Sequence, residues 1–277
     1  QPHVLTSSTT PTLPLTPATV AELLPMTLTV HRGHHGLDSD VSIAASRVRE
    51  HAIAAENALH DLGAISIVNS DSMGMGRIAE TARRTWQLAH VQAHLAGETG
   101  PEVVNNERVL RYLAKITVNP AIAHGMASDV GSLRPGSIAD VVLWRPATFG
   151  AQPELVVKSG FVAWGLTGSG SGSTRLTQPR VMKPYFGGLG GAPRRLSTVF
   201  VSQACLDDRA SADALPKGVH YTALRNSRGL TRGDMVANTA VPKVQVPTTP
   251  GAVLVDDRPI DIHHATDLPL TRLQNLA

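Results

Sequence analysis

Asp71 follows a short apolar run, Ala64-Ile65-Ser66-Ile67-Val68, by way of Asn69-Ser70, and Met73-Gly74-Met75-Gly76-Arg77 comes next. Two Ile and a Val, bounded by Gly63 and by polar residues, read as a buried strand of parallel type. A carboxylate at the C-terminal end of such a strand is where α/β barrels keep their catalytic groups. The same position would also suit an N-cap for the helical pattern beyond the glycines. Position alone leaves the two readings level.

Other groups able to do chemistry are histidines, of which the chain has 12. The loop His31-Arg32-Gly33-His34-His35-Gly36-Leu37-Asp38-Ser39-Asp40 is polar and punctuated by glycine, which suggests mobility with chemistry attached. His90 and His94 stand at i and i+4 and share a helical face. They lack the Glu of a His-Glu-X-X-His motif, so a surface or packing role is the stronger reading. Gly187-Gly188-Leu189-Gly190-Gly191 lacks the strand–loop–Gly-Lys-Ser/Thr context of a phosphate cradle.

Elements to position these groups can be traced in order. The first twenty residues are rich in Thr, Ser and Pro; Thr16 can cap a short helix with Pro17 at its first position. Pro25 is expected to close that helix, and Met26–Val30 alternates as a strand would. Helical patterns cover Ala44–Leu59, about Arg77–Leu95 and Asn106–Ala114, and Asn119-Pro120 opens a short helix that Gly125 closes. From Val130 the texture changes to turns and strands: Ile138–Trp144, then Leu155–Trp164 with a turn at Ser159-Gly160. Gly168–Ser173 reads as a surface loop of linker composition.

Composition bounds the class. A chain of 277 residues can hold one large or two ordinary domains, and 42% hydrophobic residues are enough for a core despite only 4% aromatics. Scattered basic residues and a net charge of +3 leave no nucleic-acid footprint. No apolar run approaches the length of a membrane span, and the first residues have no secretory pattern. One cysteine, Cys205, rules out an internal disulfide framework and fits a reducing, cytoplasmic compartment.

The words along the chain carry more than its composition. Ser46-Arg47, Leu59-His60-Asp61-Leu62-Gly63-Ala64, Asp71-Ser72, Met75-Gly76-Arg77, Asn119-Pro120-Ala121-Ile122-Ala123-His124-Gly125 and Phe200-Val201-Ser202-Gln203-Ala204 closely resemble the catalytic α subunit of the urease family. The match runs in order from Val4 to Leu270. It implies an α/β fold: the C-terminal part of an amidohydrolase (β/α)8 barrel over 1–129, flap included, followed by a smaller β-rich domain and C-terminal segment over 130–277. It also implies that the chain is the C-terminal half of a longer protein.

What the resemblance implies about chemistry is hydrolysis of urea to ammonia and carbamate at two nickel ions. The family holds these with four His, a bridging carbamylated Lys and one Asp. Asp71 matches that Asp; the Lys and the His ligands are expected upstream of Gln1, so the fragment alone is expected to be inactive. Within the flap, His34 matches the histidine that acts as general acid, with His35 as the alternative. Gly36 interrupts the family motif and its Cys is missing; a gapless match would put His31 at the Cys and Arg32 at the catalytic His. Arg47 matches a substrate-site arginine that helps position the flap histidine. Gly74 matches a residue, usually Ala, whose main-chain carbonyl accepts from the substrate. His60, His124, Arg49, Glu50, Asp61 and Asp140 read as structural. Implied partners are β and γ subunits or their fused equivalents, and nickel-loading accessory proteins. Ala45 in place of the family's Glu, the altered flap and the tail Leu270–Ala277, which lacks the family's aromatic residues, keep two other readings open. One is another binuclear-metal amidohydrolase; the other is a catalytically silent, urease-like scaffold subunit.

Overall fold

Buried Leu23, Thr27 and Leu28 recur at helical spacing, and Thr19–Val30 accordingly forms one helix, α1, that continues through Pro25. The strand expected at Met26–Val30 is therefore helix, and Pro25 does not end it. Proline removes one helix N–H, but packing of the Leu23–Leu28 face outweighs that loss, and Thr29 Oγ1 donates to the Pro25 carbonyl at 2.9 Å. Val30, which completes the apparent alternation, is exposed. The computed structural model describes residues 1–98, 100, 105–146, 149–150, 153–165, 190–248 and 251–269. The Gly168–Ser173 run, most of the 187–191 loop and the 270–277 tail lie outside them.

Two helices follow, α2 (Asp38–Arg47) and α3 (Glu50–Asp61), where one was expected over Ala44–Leu59. Val48 and Arg49 are extended between them, and Val48 turns into an apolar cluster of Leu15, Leu23, Ile53 and Ala54. Acidic Asp38 and Asp40 in the first turn of α2 and Arg47 in its last complement the helix dipole.

Strand β1 (Ser7–Thr9) pairs in parallel with β2 (Ile67–Asn69), Ser7 opposite Ile67 and Thr9 opposite Asn69. Helices α1 to α3 make the crossover between them, as parallel pairing requires. Beyond β2 come α4 (Thr81–Leu95), α5 (Asn106–Ala114) and the short α6 (Val118–Ala123). Asn105 caps α5, its side chain accepting from Arg108 N at 2.9 Å. Val68 of β2 packs with Leu13, Leu88 of α4 and Tyr112 of α5, so the strand is held from both flanking helices.

A polar knot ties α3 to α5. Arg108, 8% exposed, donates to both carboxylate oxygens of Asp61 at 2.8 and 2.9 Å and also pairs with Glu98; Tyr112 Oη donates to Asp61 at 3.2 Å. This fork-shaped pairing satisfies a guanidinium that burial would otherwise penalise. Asp61→Ala leaves that charge to Glu98 alone and is expected to cost about 3 kcal/mol in guanidinium chloride unfolding; a loss below about 1 kcal/mol would show the knot to be ornamental.

The chain divides into two compact units, 1–120 with 229–277, and 121–228. In the second, β3 (Val141–Leu143), β4 (Leu155–Lys158) and β5 (Phe161–Gly165) form an antiparallel sheet, with positive φ at Ser159 and Gly160 making the expected turn. Asp140 accepts from Ser159 N at 2.9 Å and pairs with Lys158, the turn-building role read from sequence. Further on, α7 (Ala192–Leu196) precedes β6 (Thr198–Val201), and α8 (Gln203–Asp207) and α9 (Arg209–Ala214) connect β6 to its parallel partner β7 (His220–Ala223). Back in the first unit, β8 (Val244–Gln245), β9 (Leu254–Val255) and β10 (Arg258–Pro259) form a small antiparallel sheet. Among the described residues, no helix is long and apolar enough to cross a membrane.

Candidate active site

Asp71 stands just past the C-terminal end of β2, in the left-handed region at φ 52°. Asn69 Oδ1 accepts from Asp71 N at 3.1 Å, an Asx turn that favours this conformation. Its carbonyl then accepts from Gly74 N at 3.0 Å and Gly76 N at 2.9 Å, and its carboxylate lies 3.4 Å from Met75 N. Of the two readings of Asp71, the strand-end position is observed and the helix N-cap is not, the residue preceding α4 being Glu80. Asp71 sits at a strand end, and it caps the 71–76 turn rather than α4, which begins only at Thr81. Gly76 is needed here: a Cβ on it would lie 1.6 Å from Ser70 O, whereas one on Gly74 would meet only the Asp71 carboxylate, 2.7 Å from Oδ1.

Helix α1 seats on this turn, Thr27 Oγ1 donating to Met75 Sδ at 3.8 Å. Its C-terminal end unwinds through Arg32 at φ 58°, and Gly33 N reaches back to Leu28 O at 2.7 Å. Between α1 and α2 lies an open cavity of about 340 Å³ whose walls include Thr27, His31, Asp40 and Arg47.

Arg47 Nη1 lies 3.4 Å from His31 Nε2 across this cavity. Guanidinium only donates, so the contact requires a lone pair on that nitrogen. His34 is engaged otherwise: its Nδ1 accepts from Gly36 N at 3.1 Å, and its backbone N–H donates to Asp40 at 2.9 Å. The structure therefore brings Arg47 to His31 and not to His34 or His35, the residues the flap motif singles out. The gapless match puts His31 at the family's Cys and Arg32 at the catalytic His, so neither alignment singles out His31.

Four polar side chains that sequence reasoning passes over surround the stretch leading into β2. Lys115 Nζ donates to Ile65 O and to Asn238 Oδ1, Asn119 Nδ2 to Ser66 O at 3.0 Å, and Arg232 Nη1 to Ala64 O. Lys115, Asn119 and Asn238 are fully buried. Burial, with Arg111 nearby, brings the Lys115 ammonium down to about 7, against a smaller opposing pull from Asp61. His60, also fully buried and with neither ring nitrogen hydrogen-bonded, is held well below the ordinary imidazole range by burial and by Lys115. No local spacing announces this cluster, because Lys115 and Asn238 are 123 residues apart.

Residues 9–191 match the model of the amidohydrolase family. The chain belongs to that family. It is also 43% identical over 272 residues to urease subunit alpha 2 of Streptomyces coelicolor and 44% over 273 residues to urease subunit alpha 1 of Streptomyces avermitilis. Identity to urease subunit alpha of Staphylococcus aureus is 40% over 273 residues. Each alignment takes in 98% of this chain and 48% of the relative. The chain thus spans about half the length of the curated relatives it matches.

The donor set decides what this amidohydrolase chain can hold by itself. Among the described residues, no three His, Cys, Asp or Glu side chains are grouped so as to hold a metal ion. Asp71 brings a single carboxylate, and His90 and His94 are exposed on α4. Asp71, His90 and His94 do not make a metal centre on their own.

Proposed function

We propose that this chain is the C-terminal half of a urease α subunit, contributing to hydrolysis of urea to ammonia and carbamate. The observation that carries the reading is Asp71 at the end of a buried parallel strand, with helix α1, which leads into the His31–Asp38 loop, seated on its turn. Similarity of 40–44% to urease α subunits over almost the whole chain supports it. Two parallel strands joined through helices support the C-terminal part of a (β/α)8 barrel over 1–129, and the β3–β5 sheet supports a β-rich domain after it.

In this proposal Asp71 is one ligand of a binuclear nickel centre, completed by four His and a carbamylated Lys from the other half. When bound, such a pair supplies a polarised carbonyl and a hydroxide near neutral pH. This chain's own part is to present the Asp71 carboxylate, to accept from the substrate amide at the Gly74 carbonyl, and to close the flap. The His31–Arg47 pair is the arrangement in this flap that joins a proton-carrying ring to a fixed cation. Partners in the same proposal are β and γ subunits or fused equivalents and nickel-loading accessory proteins, in the cytoplasm.

The test is nickel content and urea-dependent ammonia release by the full-length protein after metal loading. Nickel at two ions per chain with ammonia release establishes the reading; neither, after proper loading, leaves a silent scaffold. Within an active protein, His31→Ala and Arg47→Ala are each expected to lower kcat by about 100-fold, the scale of general acid catalysis. Their double variant should fall little further, because the two act as a unit. Should His34→Ala alone produce the loss, the flap acid is His34 and the His31 contact is incidental.

A further inference from the structure

The approach to β2 is held in an unusual way. The carbonyls of Ala64, Ile65 and Ser66 lie outside the β1–β2 ladder and accept from the Arg232, Lys115 and Asn119 side chains, Ala64 O also accepting from Thr6 Oγ1 at 2.8 Å. The same side chains anchor the 232–240 segment. Arg232 Nη1 donates to Ala240 O at 3.1 Å, Asn119 Oδ1 accepts from Val236 N at 2.8 Å, and Asn238 accepts from Lys115. Ser66 Oγ closes the mesh on Asn238 O at 3.1 Å, and Val68 N donates to the Lys115 carbonyl at 3.1 Å.

Apolar packing or a paired strand would fill this space at lower cost, since a buried ammonium facing only neutral oxygens is strongly penalised. A buried polar mesh with most of its groups paired, here all but Arg232 Nε, favours one geometry, whereas an apolar contact tolerates sliding. A strand that slips by one residue turns every side chain to its other face. Here that would carry Asp71 out of place, because only Asn69 and Ser70 separate it from β2's last buried residue, Val68.

We propose that Lys115, Asn119 and Arg232 are positioning residues that fix the register of Ala64–Val68 and thereby the placement of the Asp71 carboxylate. The functional part of this proposal rests on the urease reading; the structural part does not. Lys115 is its centre, since it holds the stretch through its side chain, at Ile65 O, and through its own carbonyl, at Val68 N.

Amide hydrogen exchange on the full-length protein decides the structural part without any activity. Lys115→Met is expected to raise exchange at Ile67, Val68 and Asp71 by at least about tenfold and to leave the β3–β5 hairpin unchanged. In the nickel-loaded protein, kcat should fall at least about tenfold per folded molecule with little change in KM. Lys115→Gln, which keeps a donor, should recover part of both. If Lys115→Met does not fold, Asn119→Ala loses the bond to Ser66 O and should show the same local opening. Unchanged exchange across 64–71 overturns the proposal, as does local opening with wild-type kcat in an active protein. A wild-type protein inert towards urea would sink the urease reading instead, and the exchange result would still decide whether the mesh sets the strand's register.

Discussion

Asp71→Ala is expected to lower urea-dependent ammonia release by the full-length protein more than 100-fold and to reduce its nickel content. Removing a partner that merely orients a metal ligand already costs about 10- to 100-fold in such sites, so losing a ligand should cost more. The fold should survive the change. Asp71 is only half-buried, and its backbone, not its carboxylate, makes the two shorter bonds to Gly74 N and Gly76 N. The left-handed φ at 71 is less natural for Ala than for Asp, so Asp71→Asn is the better-matched companion. It retains the turn and Asx chemistry but not the negative charge. Loss of activity in both variants with unchanged melting temperatures would place the carboxylate in the chemistry. Wild-type turnover in both would reduce Asp71 to the turn cap that the local geometry also allows.

How much of the molecule is legible in its sequence depends on the range of the interactions involved. The buried strand, its terminal Asp and helix α5 are legible because their signals are local: a β-branched run ending in polar residues, and an Asn cap ahead of an apolar period. The second half of α1 is hidden because Pro25 is a local breaker, and only the buried Leu23–Thr27–Leu28 face shows that packing overrides it. The Val48-Arg49 break is invisible for the same reason; Val48 leaves the helical path to join a cluster with Leu15 and Leu23. In the flap, the resemblance suggests His34; the Nδ1 of that ring accepts from Gly36 N, and the ring that faces Arg47 is that of His31. The mesh around Lys115 has no local signal. A lysine inside Arg-Tyr-Leu-Ala-Lys looks like a solvated helix end until the 232–240 segment is folded over it.

That mesh makes protein stability depend on pH in a direction opposite to the usual alkaline loss. Lys115 titrates near 7 in the folded state, against 10.5 for a free side chain. Between those values the unfolded chain binds a proton that the folded chain does not, so unfolding free energy rises with pH. Below about 7 both states are protonated and Lys115 contributes no further slope. The limiting slope is about 1.4 kcal/mol per pH unit, or about 3 kcal/mol between pH 7 and 9.5. The charged groups around it are Arg111, which lowers its pKa, and Asp61, which opposes. Neighbouring Tyr112 is held well above 10 by burial and by Asp61, and His60 is already neutral, so neither titrates in this window. Guanidinium chloride unfolding at pH 7, 8 and 9.5 should therefore show wild-type stability climbing while Lys115→Met stays nearly flat. The variant should lose most ground at pH 9.5, where the neutral wild-type amine still donates to Ile65 O and Asn238 and methionine cannot. Parallel curves for the two proteins would mean that Lys115 keeps its proton in the folded state, and that the mesh tolerates an ammonium among neutral oxygens.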